Sequence, residues 1–379
     1  MLPTFHHSRR RRRSRTSCQT AIATIAGVKS TIAVVLSKAR IASLNVSLIS
    51  PPTLSKAASP LLSVYCRSLW QPGDSERFVV ASRTSLWVRQ HQLVTYLVLT
   101  YAISWIIVAP LIASAQGFID VPVPFALHYL NDYGPLLAAL ITAGITSGAE
   151  GLRDLTRRMV RWRVGLGWVL VAAFSPLAVY GIAVGIVVGL GDPPPDLSRL
   201  GTILYIPYLG WVGWVFWILT AGIGEESGWR GYALPKLQSR MSALSATLIV
   251  TLFWVGWHLP RFFYYGAYMQ LGFSVLPLVA HGFLAMSIVL TWLYNSTRGS
   301  ILMVALFHGS YNFWAASGGA GGLVISTIDA LFIIWAVGVV VVFRPANLSY
   351  QGSTRYETAA THRPSQLLDW IYSLFALLI

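Results

Sequence analysis

The sequence predicts an all-α, polytopic membrane protein with about eight transmembrane helices, and three observations predict it. Only 11% of the 379 residues are charged, against roughly 25% in ordinary globular proteins, a deficit that argues against a soluble enzyme. Hydrophobic residues make up 55% and the mean hydropathy is +0.60. The apolar residues also gather into runs near the ~20 residues that cross a hydrocarbon core. There are 15 Trp and 17 Tyr, whose amphipathic rings suit membrane interfaces.

In chain order, residues 1–91 come first and read as a basic, Ser-rich, low-order leader, acid-free until Asp74 and broken by Pro51, Pro52, Pro60 and Pro72. Its longest apolar stretches, such as Ile22 to Val28, are too short to span and are interrupted by Lys29, Lys38 and Arg40. The leader holds 14 Lys/Arg and 2 Asp/Glu, while the rest of the chain holds 14 and 11. Most of the net charge of +15, namely +12, therefore belongs to the leader, and with no folded basic module a nucleic-acid partner is not expected. Three readings of the leader stay open: an organellar transit peptide, a cytosolic tail beside anionic lipid, or a start placed too far upstream. Both cysteines, Cys18 and Cys66, lie within it, so the apolar body has no disulfide and no cysteine-bound metal.

Residues 92–344 form the expected membrane domain, with spans near 93–115, 132–149, 166–190, 203–223, 242–262, 272–294, 300–317 and 322–343. Arg153, Arg157, Arg158, Arg161 and Arg163 fall between the second and third runs, in a short loop that the positive-inside rule assigns to the cytoplasm. Counting from there puts both termini in the cytoplasm and collects Arg230, Lys236, Arg240, Arg298 and Arg344 on inward connections. Only Arg199 and Arg261 face outward, beside the rigid Pro193–Pro194–Pro195 turn. Residues 345–379 form a polar tail ending in an apolar stretch, 367–379, that is too short to span. The expected location is a bacterial cell membrane, or an organellar membrane if the leader is a transit peptide.

An ionisable side chain inside the bilayer costs about 2.5–3.5 kcal/mol on insertion scales, so each one calls for a reason. Glu225, Glu226 and Arg230 stand together in Gly224–Glu–Glu–Ser–Gly–Trp–Arg–Gly231. On a helix Glu226 and Arg230 are one turn apart and can pair, while Glu225 points about 100° away. Trp254 and His258 share one helical face in the fifth run, and His308 and Asn312 do so in the seventh. Taken singly, such groups are more often helix-end ion pairs or satisfied core histidines; together they suggest an intramembrane site for water attack on a carbonyl. Desolvation favours the protonated carboxylate, so Glu225 could take a proton from water, with His258 sharing it and His308 and Asn312 donating to the oxyanion. Glu225, His258 and His308 could alternatively ligate zinc. Gly222, Gly224, Gly228, Gly231, Gly256 and Gly309 read equally as helix-packing or as substrate-approach positions. His281 and Asp329 are further buried-polar candidates.

These motifs resemble the CPBP family of intramembrane glutamic endopeptidases, which includes type II CAAX prenyl endopeptidases and bacteriocin-processing or bacteriocin-immunity proteins. Its Glu-Glu-x-x-x-Arg motif is met in GEESGWRGYALP, its aromatic-x-x-x-His at Trp254 and His258 with Trp for the usual Phe, and its His-x-x-x-Asn at His308 and Asn312. GPLLAALITAG and RWRVGLGWVL are similar to the family's earlier helices. The resemblance implies eight helices enclosing an intramembrane active site, with catalytic Glu225, His258, His308 and Asn312. Glu226, Arg230 and Trp254 are the implied structural support. It further implies hydrolysis of a peptide or protein substrate in the bilayer without a cofactor. The alternatives are a zinc-dependent membrane protease and a non-catalytic immunity protein that binds a peptide in the same cavity.

Overall fold

The computed structural model describes residues 83–203, 206, 209–316 and 322–355. Every regular element among them is helical: α1 (Arg83–Gln90), α2 (Gln92–Ala115), α3 (Ala126–Leu130), α4 (Gly134–Met159), α5 (Leu166–Gly189), α6 (212–238), α7 (Ala243–Trp257), α8 (Gly266–Leu271), α9 (Leu276–Ser296), α10 (Ile301–Ala315) and α11 (Leu323–Asn347). Residues 1–82 of the expected leader and the apolar stretch 367–379 lie outside the described residues. The last part of the leader is α1, which packs on α2 and α4.

Six helical stretches among the described residues are long and apolar enough to cross a membrane: Gln92–Ala115, Ala126–Met159, Leu166–Gly189, Ala243–Phe263, Gly266–Ser296 and Leu323–Asn347. The expected spans at 203–223 and 300–317 do not meet that standard, each for its own reason. The fourth run is displaced, because Gly201 (φ 81°) and Gly210 (φ 52°) turn the chain and helix begins only at Val212. The helix then continues to Gln238, carrying Glu225, Glu226 and Arg230 at mid-helix rather than at its end. Helix α10 has 15 residues, about 22 Å at helical rise, which is short of a ~30 Å hydrocarbon core.

Packing explains how the chain accommodates both. Residues 224–235 of α6 are buried without interruption, so this helix is enclosed by protein instead of lipid. It packs against α10, which in turn packs on α5; α2 pairs with α4, and α9 lies between α7 and α11. Ile106, Phe174, Leu278 and Ile334 of the outer helices are exposed, as apolar side chains facing lipid should be. Serine caps start two of the inner helices, Ser242 accepting from the Ser245 amide and Ser300 from the Met303 amide.

The arginine cluster differs from its expectation. Arg153, Arg157 and Arg158 lie on α4, which bends at Gly148 (φ 59°) and continues to Met159, so the connection proper is only 160–165. Arg158 is buried: it bonds Asp154 at 2.8 Å and donates to the Gly231 carbonyl and the Tyr294 hydroxyl, both at 2.8 Å. One of the counted surface charges thus ties α4 to α6 and α9.

Candidate active site

The site is built on the central helix. Over Ile218–Glu225 and again over Trp229–Ala233, α6 widens to i→i+5 bonding, a rare geometry that concentrates at functional sites. Two glycines let α10 come up against it. A Cβ at Gly222 would lie 2.5 Å from the Ala305 carbonyl oxygen, and one at Gly309 would lie 2.6 Å from the Ile218 Cα. The two backbones therefore touch, and at these positions glycine serves helix packing.

That approach brings His308 of α10 to the carboxylate of Glu226. Glu226 Oε1 accepts from Arg230 Nη1 at 3.0 Å and sits 2.8 Å from His308 Nδ1. Arg230 Nη2 donates to the Ser287 hydroxyl on α9 at 2.8 Å. Both Glu226 and Arg230 have zero side-chain exposure. The i,i+4 pair expected from spacing is thus a dry ion pair clamped between α6, α9 and α10, and a charge removed from water is tolerable only when paired in this way.

Trp254 of α7 contacts Glu225, His258, Arg230 and His308. Its indole N–H donates to Glu225 Oε2 at 2.6 Å, its backbone carbonyl accepts from His258 Nδ1 at 2.7 Å, and Arg230 stacks 4.5 Å from its ring centroid. The His308 ring meets it edge-on at 5.6 Å. Glu225, 2% exposed, is the carboxylate that Arg230 does not hold, as the helical offset implied. Because a carbonyl can only accept, His258 carries its proton on Nδ1, which leaves the Nε2 lone pair free to accept. Phe283 of α9 closes the apolar side of the His258 ring at 4.5 Å.

Asn312 lies one turn past His308 on α10 and is half-buried. Asp329 is half-buried on α11, close to Gly282 of α9, and stands outside this cluster. His281 is not buried: it sits on the exposed face of α9 with Nδ1 against the Pro277 carbonyl. Among the described residues no three His, Cys, Asp or Glu side chains come together to hold a metal ion, the set Glu225, His258 and His308 included.

Three residues at the site were not singled out from the sequence. Ser287 completes the Arg230 shell. Asp132, before α4, is 2% exposed and lies 3.9 Å from Arg261 beyond α7. Arg261 looked like an ordinary outward loop charge. Its partner is 129 positions away, and no local pattern reports such a pairing.

Comparison with known proteins falls on this same region. Residues 207–314 match the family model described as Rce1-like, type II CAAX prenyl endopeptidase Rce1-like. A 95-residue stretch is 37% identical to CAAX prenyl protease 2 of Methanococcus maripaludis; it covers 24% of this chain and 35% of that protein. The chain thus matches about a third of the length of this relative. The matched segment contains Glu225, Glu226, Arg230, Trp254, His258, His308 and Asn312, so the likeness to the Rce1-like type II CAAX prenyl endopeptidases falls on the candidate site itself.

Proposed function

We propose that the protein is a membrane-embedded endopeptidase that hydrolyses a peptide bond with water activated by Glu225 and His258. One observation carries this reading: Trp254 holds Glu225 through its indole and His258 through its carbonyl, from one residue. Glu225 Oε2 is fixed by that bond, and Oε1, which has no hydrogen bond among the described residues, is left to accept from water. The Nε2 lone pair of His258 accepts the second water hydrogen. The water oxygen attacks the scissile carbonyl as its proton passes to Glu225, and the proton then goes to the leaving amine as the C–N bond breaks.

The developing oxyanion is met by the Asn312 amide and by His308, whose Nδ1 is engaged by the Glu226 carboxylate. In this proposal His308 donates to the oxyanion through Nε2–H. Glu226 and Arg230 do not react; they fix His308. The substrate is a membrane-borne peptide or protein, and a prenylated C-terminal peptide is the first to test, since the similar archaeal protein is named a CAAX prenyl protease. Residues such as Arg153, Arg163 and Arg298 mark the cytoplasmic side.

The test is incubation of the purified protein with a peptide library, prenylated members included, read by mass spectrometry beside a Glu225→Gln control. New cleavage products only in the wild type support the reading. Saturable binding without any turnover would instead favour a peptide-binding immunity protein, and loss of turnover together with one stoichiometric zinc on chelation would favour the zinc protease.

A further inference from the structure

A second polar site lies at the arginine-rich end of the helices, away from Glu225. A cavity of about 280 Å³ opens between the 160–165 connection and the end of α9, lined by Arg163, Gly165, Ser296, Thr297, Arg298 and Gln351. Among the described residues both charged side chains that line it are arginines, and no Asp or Glu lines it. The nearby acid, Asp154, is already bonded to Arg158. Two guanidiniums around one cavity with no acidic lining residue among the described ones create a local demand for an anion.

The walls are polar and held in place. Arg161 donates to the Arg298 carbonyl, and the Ser300 hydroxyl donates to the Arg161 carbonyl at 2.6 Å, so the two connections are laced together beside the cavity. Ser296 is 4% exposed, lines the cavity, and its hydroxyl has no bonding partner among the described residues. Gly165 precedes the first turn of the 24-residue α5, where amides without intrahelical partners point outward and the helix dipole favours negative charge. A buried hydroxyl, a helix start and two arginine forks form a donor set suited to phosphate oxygens.

We propose that this cavity binds a phosphate-bearing, net-anionic group, either the headgroup of an anionic phospholipid or free phosphate. The surroundings suit a lipid source. Trp162 is exposed beside the cavity with Arg163 stacked 5.1 Å from its ring, an arrangement that belongs at a headgroup layer. Basic pockets between helices at such a layer take anionic lipid headgroups. Occupation would clamp the 160–165 connection to the end of α9, the helix that supplies Ser287 to the dry ion pair.

The experiment follows thermal unfolding of the full chain in neutral detergent. Short-chain phosphatidylglycerol, short-chain phosphatidylcholine and inorganic phosphate are added at matched ionic strength. The site is supported if phosphatidylglycerol raises Tm by several degrees, phosphatidylcholine does not, and the rise is at least halved in Arg163→Gln and in Arg298→Gln but kept in Arg153→Gln. Arg163 is exposed, so its variant should fold even if that of Arg298 does not. A rise with phosphate alone of equal size identifies free phosphate as sufficient; a rise with phosphatidylglycerol only identifies the lipid. No rise with either anionic probe, an equal rise with phosphatidylcholine, or an undiminished rise in Arg163→Gln overturns the proposal.

Discussion

Two ion pairs with the same spacing behave as different objects in this protein. Glu226–Arg230 on α6 and Asp154–Arg158 on α4 are both i,i+4 pairs, at 3.0 and 2.8 Å, and both arginines are buried. At the centre, however, neither side chain meets solvent, whereas the Asp154 carboxylate keeps 44% of its exposure. The central pair is closed by His308 and Ser287, and the peripheral arginine by a carbonyl and a tyrosine hydroxyl. Spacing determines that a pair can form, and enclosure determines what breaking it costs. Only the enclosed pair is placed to orient a reacting group.

The strongest way to break this comparison is at the centre. Glu226→Gln leaves Arg230 charged in a dry site, and removing one partner of a buried pair typically costs about 3–5 kcal/mol. A large drop in Tm is expected, and turnover should fall with it because His308 loses its negatively charged partner. Asn312→Ala should separate rate from stability on the same helix. It removes a proposed oxyanion donor, for which about 10²–10³-fold losses in kcat are typical with little change in binding, and its half-exposed side chain should leave Tm nearly unchanged. Trp254→Phe keeps the aromatic packing and deletes the 2.6 Å bond to Glu225. A loss of about 1.5–3 kcal/mol for a hydrogen bond to a charged group should appear mainly as a lower kcat, read by steady-state kinetics on the cleaved peptide. Asp154→Asn is the mild end. A pair open to solvent contributes about 0–1 kcal/mol, and the amide can still accept from Arg158, so Tm and turnover should both stay close to wild type. Equal destabilisation by Asp154→Asn and Glu226→Gln would remove the distinction between the two regions.

The sequence named the neighbours around the candidate site more readily than it named the ends of the helices that carry them. Three motifs of i,i+4 periodicity name the residues that α6, α7 and α10 bring together, and the same periodicity separates Glu226, which pairs, from Glu225, which does not. Helix ends were harder to read. The expected span 203–223 is apolar along its length, yet α6 begins at Val212, just past the left-handed Gly210. Two π segments in α6 were not read from the sequence either; the first holds Gly222 and Gly224, which lie against the backbones of Ala305 and Asp132. Trp254 could be read as packing, but its indole contact with Glu225 spans 29 positions and depends on how α7 docks. The approach of Asp132 to Arg261 is likewise a tertiary event. His281 shows the opposite error: a polar residue in an apolar run whose backbone acceptor, Pro277, lets it stay at the surface.

The central claim is that Glu225 is the base, and Glu225→Gln tests it most directly because the amide keeps size and hydrogen-bonding capacity while losing the proton acceptor. Initial rates of peptide cleavage, with Tm measured on the same preparations in detergent, decide it. Turnover in Glu225→Gln should fall by about 10³-fold or more, with Tm and peptide binding close to wild type. Cleavage at the wild-type rate by a folded Glu225→Gln protein would contradict it.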